Sequence, residues 1–164
     1  MAGIVFNGSY ICNKNTGIGV VAKNLANTLS SDLFHTLLPV DCGLKGDLYI
    51  PSNLGPDKRM IGHMRRLYWL QIKIPEILKI LDSDCFFSPL LEAPIFRNIQ
   101  SIVLAHDLIP VRYPSISFLT AYHCSYIPLV LHQAKLVLCN SNATAREIHA
   151  IYKVPINKLV PIKL

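Results

Sequence analysis

Short, continuously apolar runs recur along this chain, separated by stretches whose apolar residues fall at helical spacing, and few folds accommodate that alternation. Strands of a parallel sheet are covered on both faces by their connecting helices, so they read as unbroken apolar runs. Runs of this kind alternating with helices indicate an α/β fold with a Rossmann-like parallel sheet. Ile4-Val5-Phe6 is the first predicted strand and Phe34 to Val40 the second. Asp84-Cys85-Phe86-Phe87, Ser101 to Ala105 and Leu136 to Cys139 follow, with a poorer last strand from Lys158 to Ile162.

The first predicted helix begins near Gly17, with Val20, Val21, Asn24, Leu25, Thr28 and Leu29 as its stripe. A second helical zone runs from Lys58 to Leu81, with a break expected at Pro75, which suits the first turn of a new segment. A third covers Ile116 to Gln133, disturbed by Pro128. A fourth starts between Asn140 and Thr144, where Ser141, Asn142 and Thr144 compete for the N-cap and Thr144 with Glu147 matches a capping box. Asp41 to Pro56, rich in Gly, Asp, Asn and Pro, is the expected mobile loop. The chain shows no internal repeat.

A length of 164 residues suits one domain spanning 1–164, since domains commonly hold roughly 100–200 residues. Such a domain buries about 70% of its unfolded surface, enough to need no metal or disulfide staple. Hydrophobic residues make up 51% and charged residues 16%, which excludes disorder. Lysine plus arginine exceed aspartate plus glutamate by 16 to 10, a formal +6 that favours anionic partners without choosing among them. Cys12, Cys42, Cys85, Cys124 and Cys139 are odd in number and irregular in spacing, so reduced thiols in a cytoplasmic protein are expected. No basic-then-apolar leader supports secretion. Tyr113 to Ala134 carries no Asp, Glu, Lys or Arg, but two prolines, His123, His132 and several hydroxyls argue against a membrane span.

Asn15-Thr16-Gly17-Ile18-Gly19 leads straight into the first helix. Glycines allow a tight turn with positive φ and close approach of a ligand. The first-turn N–H groups then face an anion along the positive end of the helix dipole. Gly17 to Ala22 also fits the dinucleotide fingerprint with alanine in its last place, and Asp41 lies near the expected acidic distance. However, Asn7 to Thr16 intervene between strand and glycines, and a helix end contributes only about 0.3–2 kcal/mol. Micromolar binding needs about 8 kcal/mol. A phosphate or sugar contact, a structural turn and a dinucleotide site all stay open.

Ser101 to Ala105 runs into His106-Asp107, placing an imidazole where a buried strand ends. Ligands of open α/β sheets sit at the carboxyl ends of strands, and a histidine there can hydrogen-bond or change charge near neutrality. The bland alternative is a histidine that bonds a loop carbonyl.

The run His106-Asp107-Leu108-Ile109-Pro110 to Pro114 resembles the His-Asp-Leu-x-Pro segment of glycosyltransferase family 4. Val137 to Ile148 is similar to that family's strand, serine and following helix, and Ile151 to Leu159 resembles its Tyr-Gly-Val-x-x-x-Lys-Ile segment. Asn15 to Gly19 falls where the family has its glycine turn. The chain departs from the pattern at Lys153, where the family often has glycine, and at Pro161 to Leu164, where it has Asn-Gly-Val.

The resemblance implies the acceptor-side, N-terminal domain of a GT-B enzyme. Such enzymes move a sugar from a nucleotide-diphosphate donor to a glycan or lipid-linked acceptor, usually with retention and without a metal or other cofactor. By the same resemblance His106 supports catalysis through a hydrogen bond to the transferring sugar, and Gly17 and Gly19 shape the phosphate and acceptor turn. Asp107 and Ser141 are second-rank site residues. The donor half, with its basic residue and Glu-x7-Glu segment, is not among these residues, so the chain is expected to be inactive without such a partner. The rivals are a non-catalytic interaction module and a nicotinamide-binding oxidoreductase domain.

Between Lys58 and Lys73, Arg59, His63 and Arg66 fall on one helical face beside Lys58 and Arg65, with Met60, Met64, Leu67, Tyr68 and Gln71 opposite. This is either a solvated face over a core stripe or a surface for anionic lipid or acceptor phosphate. Arg59, Arg65 and Arg66 are the candidate contacts for peripheral membrane association at the inner face. Aromatic interleaving is too sparse for nucleic acid. His35, His123, His132 and His149 lack metal-ligand spacing, and no Gly-x-Ser-x-Gly elbow or Walker loop occurs.

Overall fold

Gly3–Asn7 forms β1, and the chain then alternates helices with parallel strands in the predicted manner. The computed structural model describes residues 3–11, 16–29, 33–55, 59–96, 99–108 and 118–163. After β1 come α1 (Gly17–Thr28), β2 (Phe34–Pro39), β3 (Leu48–Ile50), α2 (Arg59–Ile80) and β4 (Ser83–Ser88). The chain continues through β5 (Gln100–Ala105), α3 (Phe118–Gln133), β6 (Leu136–Cys139), α4 (Asn142–Tyr152) and β7 (Leu159–Pro161). Seven strands make one parallel sheet in the order β3-β2-β1-β4-β5-β6-β7, a Rossmann-like arrangement.

Successive side chains of a strand point to opposite faces, and both faces here are apolar. Val5, Leu37, Phe86, Val103 and Val137 pack with Trp69, Leu70 and Ile74 of α2, Ile127 and Leu131 of α3, and Ile148 of α4. On the other face Phe6, Leu38 and Phe87 pack with Ala22 and Ala26 of α1. Phe6 meets Phe87 edge-on at 5.5 Å, as their register across β1 and β4 requires. Each fully buried phenylalanine or leucine contributes about 1.5–3 kcal/mol.

Several expectations are corrected. The stretch expected as a mobile loop contains β3, which pairs with β2 and is fastened by Asp47. The Asp47 carboxylate accepts from Thr36 N at 2.7 Å and from Thr36 Oγ1 at 2.9 Å. Three residues are too few to give a periodic signal, so only the pairing makes this segment a strand.

Pro75 does not break α2; the helix runs through it. A proline inside a helix costs about 3 kcal/mol, but Ile74 and Leu78 on either side are both buried, and their burial holds the helix together. Pro128 is likewise inside α3. The cap of α4 is Ser141, whose Oγ accepts from Thr144 N at 3.1 Å, so Thr144 occupies the third helical position and the predicted Thr144–Glu147 box is displaced. Among the described residues no helix is long and apolar enough to cross a membrane.

Candidate functional site

The strand order reverses between β1 and β4, and the crevice outside the carboxyl ends of such strands is where ligands of open α/β sheets bind. Here the C-terminal ends of β1, β4 and β5 open onto a cleft of about 190 Å³. Ile18 from the start of α1 and His106 with Asp107 from the end of β5 line it. Tyr122 and His123 of α3 close another side. At the reversal itself Asn7, Ser9 and Ser88 are fully buried. Among the described residues Asn7 Nδ2, Ser9 Oγ and Ser88 Oγ have no hydrogen-bond partner.

His106 is half-buried, with Nε2 2.9 Å from the Pro89 carbonyl oxygen. A carbonyl only accepts, so Nε2 carries a proton and donates, which leaves Nδ1 as the ring nitrogen free to face a ligand. The contact to a loop carbonyl is the one the bland alternative foresaw, yet the ring also borders the cleft. Its main chain is tied down as well. Asn140 Nδ2 donates to the His106 carbonyl, and Thr144 Oγ1 donates to Asn140 Oδ1 at 2.7 Å. The start of α4 therefore braces the loop that carries His106.

Gly17 and Gly19 sit in the first turn of α1 rather than in a turn of positive φ, which corrects that expectation. Thr16 caps the helix, its Oγ1 accepting from Gly19 N at 3.1 Å. Helix geometry leaves the N–H groups of Gly17 and Ile18 without intrahelical acceptors. Among the described residues a Cβ added at Gly17 would meet nothing within 4 Å, so none of them requires glycine there. Asn15, the first residue of the predicted turn, lies outside the described residues.

Ser141 is not among the residues lining the cleft, and its hydroxyl accepts from Thr144 N in the α4 cap. Asp107 is exposed and lines the cleft. Its carboxylate acts on His123.

The basic face predicted on α2 is largely inverted. Arg66 is only 3% exposed, whereas Met60, Met64 and Tyr68, assigned to the core side, are 51–69% exposed. Arg66 points inward to Glu92, with Nε 2.6 Å from Oε2 and Nη2 2.8 Å from Oε1. Nη1 donates to the Leu54 carbonyl at 2.9 Å, and the guanidinium lies 5.0 Å from the centroid of the Tyr10 ring. Arg65 is exposed, as expected. Arg59 opens the helix.

Sequence reasoning missed Glu92, Tyr122 and His123. The signal available for Glu92 was its isolation in an apolar run, because a lone carboxylate there must be paired. Burial works to raise the Glu92 pKa, but the Arg66 guanidinium overrides it and holds the carboxyl below its usual range. His63 lies beside the pair, its Nδ1 3.0 Å from Arg66 Nη2. Burial lowers its pKa, and Glu92 partly opposes that shift. As Arg66 can only donate, the neutral His63 ring accepts at Nδ1. Among the described residues no group of three or more His, Cys, Asp or Glu side chains is placed to hold a metal ion. No protein-family model matches the chain, and no curated protein matches it.

Proposed function

We propose that this chain is the acceptor-side half of a GT-B glycosyltransferase similar to family 4, acting in the cytoplasm with a donor-binding half. It transfers a sugar from a nucleotide-diphosphate donor to a glycan or lipid-linked acceptor, with retention and without a metal. The observation that carries this proposal is the cleft shared by Ile18, which lies between Gly17 and Gly19, and His106. That juxtaposition brings the first turn of α1, through Ile18, and an imidazole to one cleft at the sheet's reversal, although Gly17 and Gly19 themselves are not among its lining residues. The α1 amides of Gly17 and Ile18 would meet the donor phosphates. His106, with its Nε2–H committed to Pro89, offers Nδ1 to a sugar hydroxyl. Lys153 adds support: it adopts φ 57 at the C-cap of α4, a left-handed conformation that favours the glycine found there in the family.

Titration of the chain with uridine- and guanosine-diphosphate sugars should give binding weaker than micromolar, because a helix end and one imidazole supply too few anchors. Micromolar affinity would overturn the assigned division of labour. With a donor half present, His106→Ala should lower turnover at saturating donor by about tenfold or more. Unchanged turnover would make His106 structural.

Membrane contact belongs to the same proposal, through Arg65 and the exposed Met60, Ile61, Met64 and Tyr68 instead of Arg66. Apolar and basic side chains on one helical face suit an anionic lipid surface. Arg65→Glu should abolish co-sedimentation with anionic liposomes, and wild-type protein that ignores such liposomes removes the membrane from the scheme.

One observation favours a second reading. The order β3-β2-β1-β4-β5-β6 is that of dinucleotide-binding sheets, and Asp41 lies two residues beyond β2. A fluorescence titration with NADH separates the two, since the transferase predicts no response.

A further inference from the structure

We propose that His123 is a second ligand-contacting imidazole of the cleft, hydrogen-bonding one hydroxyl of a sugar acceptor. The inference rests on the transferase proposal and adds to it a residue and a ligand class. His123 is only 9% exposed, lines the cleft from α3, and has no hydrogen-bond partner at Nδ1 among the described residues. Orphaned buried polar atoms are rare in folded proteins, and each asks for an occupant.

Two other histidines show what structural imidazoles do in this molecule. His132 Nε2 lies 2.9 Å from the Tyr152 carbonyl oxygen, and His149 Nδ1 lies 2.8 Å from that of Val154. Both rings are anchored to main chain. The His123 ring is held differently, by an edge contact with Tyr122 at 5.7 Å and by its own carbonyl, which accepts from Tyr152 OH at 3.2 Å. The backbone is fixed while Nδ1 stays unused.

The surroundings select a neutral, hydroxylated ligand. Burial lowers the His123 pKa against the pull of Asp107, keeping the ring neutral near pH 7. A neutral imidazole carries one N–H and one lone pair, which matches a hydroxyl group that both donates and accepts. Beside His123 a phosphate is disfavoured, because Glu92 and Asp107 line the cleft and Arg66 is already occupied by Glu92 and the Leu54 carbonyl, which leaves the donor phosphates of the proposed function to the start of α1. At about 190 Å³ the cleft is smaller than the roughly 300–1,000 Å³ of sites that enclose drug-sized ligands, so it takes one sugar ring.

The test uses the whole chain with ¹⁵N-labelled histidine, reading the ring nitrogens of His106 and His123 by NMR. Methyl glucoside, galactoside and mannoside, inorganic phosphate and nucleotide-sugars are added separately. Movement of both rings with a glycoside supports the proposal. Movement of His106 alone overturns it and leaves the cleft assignment standing. Response of His123 to phosphate but to no glycoside overturns the hydroxyl assignment. If no probe moves either ring, the transferase proposal itself fails. His123→Phe should weaken glycoside binding by about five- to tenfold, the scale of one neutral hydrogen bond, and His123→Asn should recover part of it. Equal affinity in wild type and His123→Phe would also sink the assignment.

Discussion

Two ion pairs anchored on α2 about two turns apart have similar lengths and very different surroundings. Arg66 and Glu92 meet at 2.6 Å with side chains 3% and 6% exposed, whereas Lys73 and Glu76 meet at 2.9 Å with 54% and 56% exposed. The first pair lies beside the cleft at the carboxyl ends of the strands, and the second lies out in solvent. Distance therefore says little about what an ion pair contributes. Water screens the outer pair and replaces either partner cheaply. The inner pair has lost its water, so each charge depends on the other.

The largest effect that separates the two regions comes from removing one buried charge. Glu92→Ala should cost about 3–5 kcal/mol in urea unfolding, because it strands Arg66. Replacing both partners, with Arg66→Met and Glu92→Leu, should recover most of that loss. A cost below about 1 kcal/mol for Glu92→Ala would mean that water reaches the pair and that the contrast is false.

A pH titration of stability is the next test in size, and its sign follows from the shifts. Burial lowers His63 and His123 below the usual 6.5, so they favour the neutral form in the folded state. Their contribution is complete above pH 6.5 and is lost as pH falls toward their folded values. Glu92 is held below its usual 4.5, so its contribution is present above that pH and is lost as pH falls through the lower folded value. The melting temperature should thus fall in two stages, first below pH 6.5 and again below pH 4.5. His63→Gln with His123→Gln should flatten the first stage, and an unaltered profile in that variant would place its cause elsewhere.

The smallest effect belongs to the outer pair. Glu76→Ala should leave the urea midpoint close to that of the wild type, and added salt should erase any remaining difference. A loss comparable with Glu92→Ala would end the comparison.

The sheet was easy to read in the sequence because buried parallel strands need apolar residues at every position, as at Leu136–Cys139, where the expected and observed bounds coincide. The start of α1 was legible for a similar reason, since Thr16 and Gly17 are local signals, but its buried face was not: Gly19, Ala22 and Ala26 are buried, while Val20, Asn24 and Thr28 of the expected stripe are exposed. The faces of α2 were not legible either. Charge in a sequence signals exposure, and that signal fails for Arg66 because Glu92, 26 residues further along, satisfies it. The site was legible only in part. His106 and Asp107 followed from a strand end, but Tyr122 and His123 come from a helix whose register against the sheet is set by packing.

The order of apolar runs and helical stripes determined by itself that this chain forms a parallel α/β sheet, because periodicity and burial are properties of neighbours along the chain. Tertiary structure alone decided that Arg66 turns inward, that Leu48–Ile50 becomes an edge strand, and that His63, His106 and His123 border one cleft. Those outcomes depend on which distant groups meet in the absence of water, and a carboxylate or a paired strand far along the chain leaves no mark on the local pattern.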